Sequence, residues 1–320
     1  MTPACFRAAS ALAASVSIAG CGGQSKPPSP HRATPTVAAR TTIVTRSPQP
    51  RPPQPAYPRL LGAAGASQPT PGFVPAVSWH GRTAVWIARS PSGLAMLSVD
   101  QRLAELHLHS GTIDAGASGW GFGPMIAGLE RNRLIGAFNG GFKLSTGAGG
   151  FESYGRVAVP PSESLGSIVT YSDGSTDIGS WHHEVPAAGR ALVSARQNLT
   201  LLIDGGHGAA SLDCVSCWGA TLGGVPNPAR SALGITADGH LIWAGGEQLT
   251  VSALVSALLA ARVIRALELD INPEWVAGYL YSHRRGQGTP APLPVVPGQQ
   301  GIPGQFLAPW SRDFFAVAAR

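Results

Sequence analysis

Charged side chains are scarce in this sequence, making up 12% of its 320 residues. The scarcity argues against a helical bundle, because the exposed faces of bundle helices carry many charged residues. The 41 glycines favour a β-rich domain with tight turns. The formal net charge of +6 does not indicate nucleic-acid binding, because the sequence has no basic helix and no basic patch interleaved with aromatic residues.

Long apolar runs are also missing. The run AASALAASVSIAG near the N-terminus is shorter than the roughly 20 residues that a membrane-spanning helix needs. With Arg7 before it, the run is typical of an export signal over residues 1–20. The run leads into IAGC, which resembles a bacterial lipobox, and this resemblance implies that Cys21 is lipidated and becomes the new N-terminus. An ordinary signal peptide is the alternative.

Residues 22–61 contain few large apolar side chains and are rich in proline, serine, threonine and arginine. Such a segment cannot bury enough surface to offset its ordering entropy, so we expect a disordered tether. Residues 62–320 are enough for one sizeable domain. The sequence therefore predicts an exported domain held at the outer face of the cytoplasmic membrane by its lipid anchor alone.

Cysteine is rare, with four in the chain. Cys5 leaves with the signal and Cys21 is the expected lipidation site, which leaves Cys214 and Cys217 in CVSC. Outside the cell a disulfide is the usual state of such a pair. A redox pair or half of a zinc site are the alternatives, although the sequence has no second CxxC motif.

Two hairpins are the clearest local signals, over residues 166–181 with a turn at Asp173–Gly174 and over residues 231–246 with a turn at Asp238–Gly239. Thr250 is a suitable N-cap for one long amphipathic helix near 251–263. Other strands are expected at 83–89, 94–100, 103–109, 199–206 and 312–320, with a short helix in 124–133 and a Pro/Gly loop over 286–305. We predict an α+β fold: a single domain with a mixed β-sheet core.

The stretch ALELDINPEW, residues 266–275, places Glu268, Asp270 and Asn272 at alternate positions between apolar residues. On a strand these three side chains share one face. Positions i and i+2 lie about 6.5–7 Å apart along a strand, close to the separation of the paired carboxylates of glycosidases. Glu268 with Asp270, or Asp270 with Glu274, are therefore candidate acid–base pairs. A solvated strand face is the alternative.

Two further stretches have the composition of anion-binding sites. In AFNGGF, Asn139 precedes Gly140 and Gly141, whose backbone can approach a ligand closely and direct N–H groups at an anion. In NPARSALGI, Arg230 enters a strand, and its guanidinium can bind a phosphate or carboxylate in a bidentate manner. An ordinary glycine turn and an exposed arginine are the alternatives.

Taken in order, these pieces resemble the phosphodiester glycosidase family over roughly residues 80–320. The resemblance is carried by LIGAFNGGF, SIVTYSDGSTDIG, RSALGITADGHLIW, a helix leading into ALELD, and RDFFAVAAR. The chain departs from the family after Asp270, where INPEW replaces a glycine-rich turn followed by serine. A glycine-rich turn would offer backbone donors to a phosphate, whereas Asn272, Pro273 and Glu274 offer side chains and a stiffer chain.

The resemblance implies hydrolysis of a sugar-1-phosphodiester at the bond between the anomeric carbon and oxygen. It implies Asp270 as nucleophile, base or metal ligand, with Glu268 or Glu274 as its acid partner. A divalent cation is an open option as cofactor, and no other cofactor is expected. The substrate would be a carbohydrate or sugar phosphate of the cell envelope.

Binding roles also follow from the resemblance. Arg230 and the amides of Gly140 and Gly141 would hold the phosphate, and Asn139 would orient the sugar or the phosphate. The alternative function is a non-catalytic module that grips a glycan or phosphate polymer. In that alternative, Asn272 belongs to a binding loop and Trp275 stacks on sugar.

Overall fold

The computed structural model describes residues 56–61, 72–219, 224–225, 227–284 and 288–320. The expected signal peptide, Cys21 and the tether up to residue 55 lie outside these residues and remain predictions. Arg59–Leu60, at the end of the expected tether, forms a short strand. Within the part of the chain that the structure describes, no helix is both long and apolar enough to cross a membrane.

The described residues are mostly β-strand. The strands are β1 Arg59–Leu60, β2 Val74–Trp79, β3 Arg82–Arg89, β4 Ala95–Val99, β5 Ala104–His109, β6 Leu134–Asn139, β7 Phe151–Ser153, β8 Arg156–Val159, β9 Gly166–Tyr171, β10 Thr176–Ser180, β11 Leu192–Gln197, β12 Leu201–Asp204, β13 His207–Gly208, β14 Arg230–Thr236, β15 Leu241–Gly246, β16 Val263–Glu268, β17 Gly278–Ser282, β18 Ala291–Pro294 and β19 Phe314–Ala319. The α-helices are α1 Glu130–Arg133 and α2 Val251–Ala260, and 3₁₀ turns cover Leu144–Thr146, Val215–Trp218 and Gln305–Leu307.

The strands form three sheets. Sheet A has nine strands in the order β1-β2-β3-β4-β15-β14-β16-β12-β13. Sheet B has the order β18-β17-β6-β19-β5, and sheet C has the order β10-β9-β11-β7-β8. Both expected hairpins are confirmed, as β9–β10 and β14–β15. The Pro/Gly loop differs from expectation, because its residues Ala291–Pro294 pair with β17 as an edge strand.

The predicted fold class is wrong. Every ladder between the strands of the described residues is antiparallel, so the sheets are not mixed. Parallel pairing needs long crossovers, usually helical, whereas antiparallel strands are joined by short turns. The described residues contain few helical segments that can serve as crossovers.

The expected long amphipathic helix is also wrong. Helix α2 has ten residues and ends at Ala260, because Val263 already belongs to buried strand β16. Thr250 caps its N-terminus as expected, with its side chain accepting a hydrogen bond from the N–H of Ala253 at 3.0 Å. The exposed positions of the helix are serine and alanine rather than charged residues.

Two large apolar clusters hold the sheets together. One lies between the three sheets and includes Leu97, Phe138 and Ile168 from sheets A, B and C. The other lies where helix α2 packs against sheet A, with Leu254 and Leu258 among its members. The core therefore fixes the strand ends that surround the candidate site.

Candidate active site

The candidate residues of the sequence meet where the three sheets converge. Asn139 ends β6 of sheet B, and its Nδ2 donates to Ser231 Oγ on β14 of sheet A at 2.8 Å. Ser231 Oγ in turn donates to the carbonyl of Asp270, just beyond β16, at 3.0 Å. Three stretches that lie far apart in the sequence are thus joined by one chain of hydrogen bonds.

Asn139 and Gly140 connect strands through groups that already have partners. Asn139 Nδ2 also donates to the carbonyl of Gly140 at 2.9 Å, and its Oδ1 accepts from the N–H of Ala277 at 3.3 Å. The N–H of Gly140 donates to the carbonyl of Asp313 at 3.0 Å. A Cβ at Gly140 would clash with the Asp313 carboxylate, so this close approach requires glycine. The expected phosphate contact at Gly140 would have to replace an existing hydrogen bond.

Arg230 and Glu268 form a fully buried ion pair, with Nη1 and Oε1 2.6 Å apart. Arg230 also donates to the carbonyls of Trp218 and Leu249, each at 3.0 Å. Burial raises the pKa of Glu268 to about 8, although Arg230 opposes the rise. Among the described residues, nothing forms a hydrogen bond with Glu268 Oε2. Arg230 is therefore occupied by Glu268 rather than presented to a phosphate.

Asp270 is held in a fixed orientation at the edge of the buried region. Its Oδ1 accepts hydrogen bonds from the N–H groups of Ile271 and Asn272, both at 2.8 Å. Its Oδ2 lies 3.5 Å from Arg312 Nη2. Burial raises the pKa of Asp270 to about 6, although the two backbone donors and Arg312 oppose the rise. Asp270 is therefore an oriented carboxylate whose pKa is close to neutral pH.

Arg312 links Asp270 to the surface. Its Nε lies 2.5 Å from Asp114 Oδ2, and its Nη2 donates to the carbonyl of Gly141 at 2.9 Å. Its guanidinium carbon lies 4.3 Å from the ring centroid of Trp275, which is half-buried. The exposed Lys143 places Nζ 4.7 Å from the same ring. Two cations and one indole therefore lie together beside Asp270.

The INPEW segment forms a tight loop after Asp270. Asn272 Oδ1 accepts a hydrogen bond from the N–H of Glu274 at 2.9 Å, which fixes the turn. The Glu274 side chain is exposed, and Asn272 is half-buried. Of the three candidate carboxylates, Glu268 and Asp270 are both buried, with Asp270 beside Arg312, and Glu274 is exposed.

A second buried ion pair braces the site from sheets B and C. Arg196 on β11 binds Asp313 in a bidentate manner, with Nε···Oδ2 at 2.8 Å and Nη2···Oδ1 at 3.2 Å. Asn198, just after β11, donates to the carbonyls of Glu268 and Leu269 at 2.7 and 2.8 Å. These contacts fix the backbone that carries Asp270.

Cys214 and Cys217 form a disulfide, which confirms the first of the three alternatives for CVSC. The bridge closes the turn just before Trp218, whose carbonyl accepts from Arg230. No group of three or more His, Cys, Asp or Glu side chains suited to a metal ion is present among the described residues.

Sequence reasoning missed several residues of the site: Asp114, Arg196, Asn198, Arg312 and Asp313. A signal for some of them exists. In SRDFFAVAA a charged pair directly precedes six buried strand residues, and in SARQN an arginine lies within a strand. Charges at such positions are rarely buried unless they are paired, so they point to partners across the fold.

No protein-family model matches the sequence, and no curated protein sequence matches it. Three solved structures are similar in shape, each aligned with 74% of this chain. The catalytic domain of zebrafish N-acetylglucosamine-1-phosphodiester alpha-N-acetylglucosaminidase, auto-inhibited by its pro-peptide, has 15% identity, a TM-score of 0.46 and 81% of its length covered. A hypothetical protein from Synechocystis has 14% identity, a TM-score of 0.41 and 61% covered. A putative exported protein from Burkholderia pseudomallei has 12% identity, a TM-score of 0.34 and 75% covered. With TM-scores below 0.5, none of the three assigns an activity to this chain.

Proposed function

We propose that the chain is an exported, lipid-anchored hydrolase that cleaves the glycosidic bond of a sugar-1-phosphodiester in a cell-envelope glycan or polymer. The observation that carries the proposal is Asp270, a buried and oriented carboxylate with a pKa raised to about 6, beside the Arg312 guanidinium. A carboxylate of this kind is suited to act as nucleophile or general base near neutral pH. The motif resemblance supports the same residue.

The phosphate-binding role belongs to Arg312 rather than Arg230. Arg230 is sealed inside and paired with Glu268, so releasing it would leave a buried carboxylate without its partner. Arg312 is also buried and is paired with Asp114, but its guanidinium lies against the half-buried Trp275 as well as beside Asp270. A phosphate that displaces the indole would meet the Arg312 fork, with the Lys143 ammonium nearby.

The acid partner is Glu268 in this proposal. Its pKa, raised to about 8, favours the protonated form that a general acid needs, with the proton on Oε2 while Oε1 still accepts from Arg230. Its Oε2 is the oxygen without a hydrogen bond among the described residues, so this atom is available to a leaving group. Substrate binding must open a path to it. The exposed Glu274 is the other candidate for this role.

A non-catalytic binding module is the second candidate function. The observation that favours it is the burial of Glu268, because a sealed carboxylate leaves Asp270 without an acid partner in contact with solvent. In this reading, Trp275 stacks on a sugar while Arg312 and Lys143 bind phosphate groups of a polymer. The two functions share one site and differ in turnover.

Hydrolysis by the purified full-length chain tests the proposal. The substrates are aryl phosphodiesters of a panel of sugar-1-phosphates, supplied with and without Mg²⁺. We expect release of free sugar by the wild type and a loss of at least about 10²-fold in Asp270→Asn, which removes the reacting carboxylate. Asp204→Asn changes an exposed carboxylate on β12 and is the matched control, expected to stay within about twofold.

The outcomes separate the two functions. A binding module would release no sugar from any panel member but would bind a glycan or phosphate polymer. Trp275→Ala or Arg312→Lys would then abolish that binding. If neither turnover nor binding occurs, both functions are rejected for this site.

A further inference from the structure

An open cavity of about 460 Å³ lies away from Asp270, between sheets B and C. Its walls come from β5, β7, β9, β11 and the residues around α1. The volume is within the range of small-molecule sites. None of the candidate residues of the sequence lines it.

A chain of carboxylates and imidazoles forms one wall of the cavity. His107 Nδ1 lies 2.6 Å from Glu130 Oε1, and His107 Nε2 lies 3.2 Å from Glu105 Oε1. Both ring nitrogens face carboxylate oxygens, so both donate and the ring is an imidazolium. Burial alone lowers the pKa of His107, but the two hydrogen bonds outweigh it and raise the pKa. Behind this wall, His109 Nε2 lies 3.1 Å from Glu130 Oε1.

The charges that line the cavity balance. The two negative charges of Glu105 and Glu130 are offset by the positive charges of the His107 imidazolium and Arg133. Arg133 Nη2 lies 3.4 Å from Glu105 Oε1. At the rim, Asp173 is paired with Arg190 at 2.7 Å. A neutral ligand therefore leaves no charge unpaired, whereas an ionic ligand would lose hydration without a counter-charge.

The cavity also offers hydrogen-bonding groups without a partner. Ser153 lines it and is almost fully buried, and within the described part of the chain its Oγ has no hydrogen-bond partner. Oε2 of Glu105 and Oε2 of Glu130 receive no hydrogen bond from the described residues, because their contacts with His107, His109 and Arg133 all use Oε1. These oxygens accept from a ligand rich in hydroxyl groups.

Aromatic rings complete the site. Phe122 stacks on His107 with ring centroids 4.2 Å apart and lies tilted against Tyr154 at 5.9 Å. Tyr154 lines the cavity and is 57% exposed. An exposed ring beside acceptor oxygens suits a ligand with one C–H face and an edge of hydroxyl groups.

We propose that this cavity is a second ligand site that binds a neutral saccharide unit, with Tyr154 under its apolar face and with Glu105, Glu130 and Ser153 accepting or exchanging hydrogen bonds with its hydroxyl groups. The site is separate from Asp270, and the proposal holds whether or not the chain is a hydrolase.

Saturation-transfer difference NMR and titration on the full-length chain test the proposal. The probes are the methyl glycosides of glucose, galactose, mannose and N-acetylglucosamine. We expect at least one to bind saturably, with affinity reduced at least about fivefold in Tyr154→Ala and at least about threefold in Ser153→Ala. Val157→Ala changes an exposed residue outside the cavity and is the matched control. Asp270→Asn is expected to leave this binding unchanged.

Two results would overturn the proposal. One is the absence of binding by every glycoside in the panel. The other is binding that Tyr154→Ala and Ser153→Ala leave intact, because the ligand would then lie elsewhere. Binding lost in Asp270→Asn but kept in the cavity variants would assign the saccharide to the candidate active site instead.

Discussion

At the scale of single residues, the ionisation of Asp270 makes both the stability and the proposed activity depend on pH. Burial raises its pKa to about 6 in the folded chain, from an ordinary value of 3.8. Because the folded value is the higher one, Asp270 contributes its stability fully below about pH 4, and this contribution is lost as the pH rises through about 6. Burial is the main cause, so the carboxylate is costly to the fold where it is ionised.

A pH series of urea denaturation checks this sign. Between pH 4 and pH 7 we expect the wild type to lose about 2 kcal/mol more of its free energy of unfolding than Asp270→Asn, because roughly two pKa units at 1.36 kcal/mol each are lost and a small part of this falls below pH 4. Titrating groups that do not interact with Asp270 are common to both proteins and cancel in the comparison. Parallel curves for the two proteins would mean that Asp270 has an ordinary pKa.

The same ionisation predicts the pH dependence of activity. If Asp270 attacks or activates water, kcat/KM should fall about tenfold per pH unit below about pH 6, because the protonated carboxyl is inactive. Initial rates on the best substrate of the panel, from pH 4 to pH 8, measure this. An acidic limb near pH 4 would be inconsistent with a buried catalytic Asp270.

At the scale of secondary-structure elements, helix α2 allows the predicted N-cap role of Thr250 to be tested. Thr250→Ala removes the side-chain acceptor for the N–H of Ala253, and we expect a loss of about 1 kcal/mol in the free energy of unfolding. Thr250→Ser keeps a hydroxyl at the cap and is the matched control. Equal stability of the two variants would show that the cap does not support this helix.

Short-range features were predictable because their causes are local. Asp173–Gly174 and Asp238–Gly239 lie in the turns of two confirmed hairpins, and Gly174 and Gly239 both have positive φ. Thr250 was recognised as a cap for the same reason. The sequence predicts the end of α2 too late, since apolar residues resume at Val263 directly after the single Arg262. Periodicity alone does not separate a buried helix end from a buried strand.

At the scale of the whole molecule, buried charge pairs connect the sheets. Arg196 on sheet C and Asp313 beside sheet B are both almost fully buried. Arg196→Met leaves Asp313 unpaired, and we expect a loss of about 3–5 kcal/mol. The double variant Arg196→Met with Asp313→Leu should cost less than the sum of the single variants.

Arg190→Met is the matched control for this cycle. Arg190 pairs with the exposed Asp173, so its replacement should cost less than about 1 kcal/mol. Urea denaturation of the wild type, the two single variants, the double variant and Arg190→Met gives the comparison. If Arg196→Met lowers the free energy of unfolding no more than Arg190→Met does, the Arg196–Asp313 pair does not help to join the sheets.

The arrangement of the three sheets was beyond the sequence, because it depends on long-range pairing. Strand β4 pairs with β15, and β6 pairs with β19, although more than a hundred residues separate each pair. For this reason Arg196, Arg312 and Asp313 were not connected to Asp270. The sequence proposes Asn139 and Asp270 as site residues because their motifs are short and their order resembles that of a known family. The sequence does not predict Glu268 as the partner of Arg230, because this pairing depends on the register of β14 and β16.

The most direct test of the central claim is hydrolysis in water enriched in ¹⁸O, followed by mass spectrometry of both products. We predict that ¹⁸O enters the free sugar and not the phosphate, because the bond between the anomeric carbon and oxygen is the one cleaved. Asp270→Asn should form both products at least about 10²-fold more slowly than the wild type. Appearance of ¹⁸O in the phosphate instead would contradict the account, since the chain would then be a phosphodiesterase.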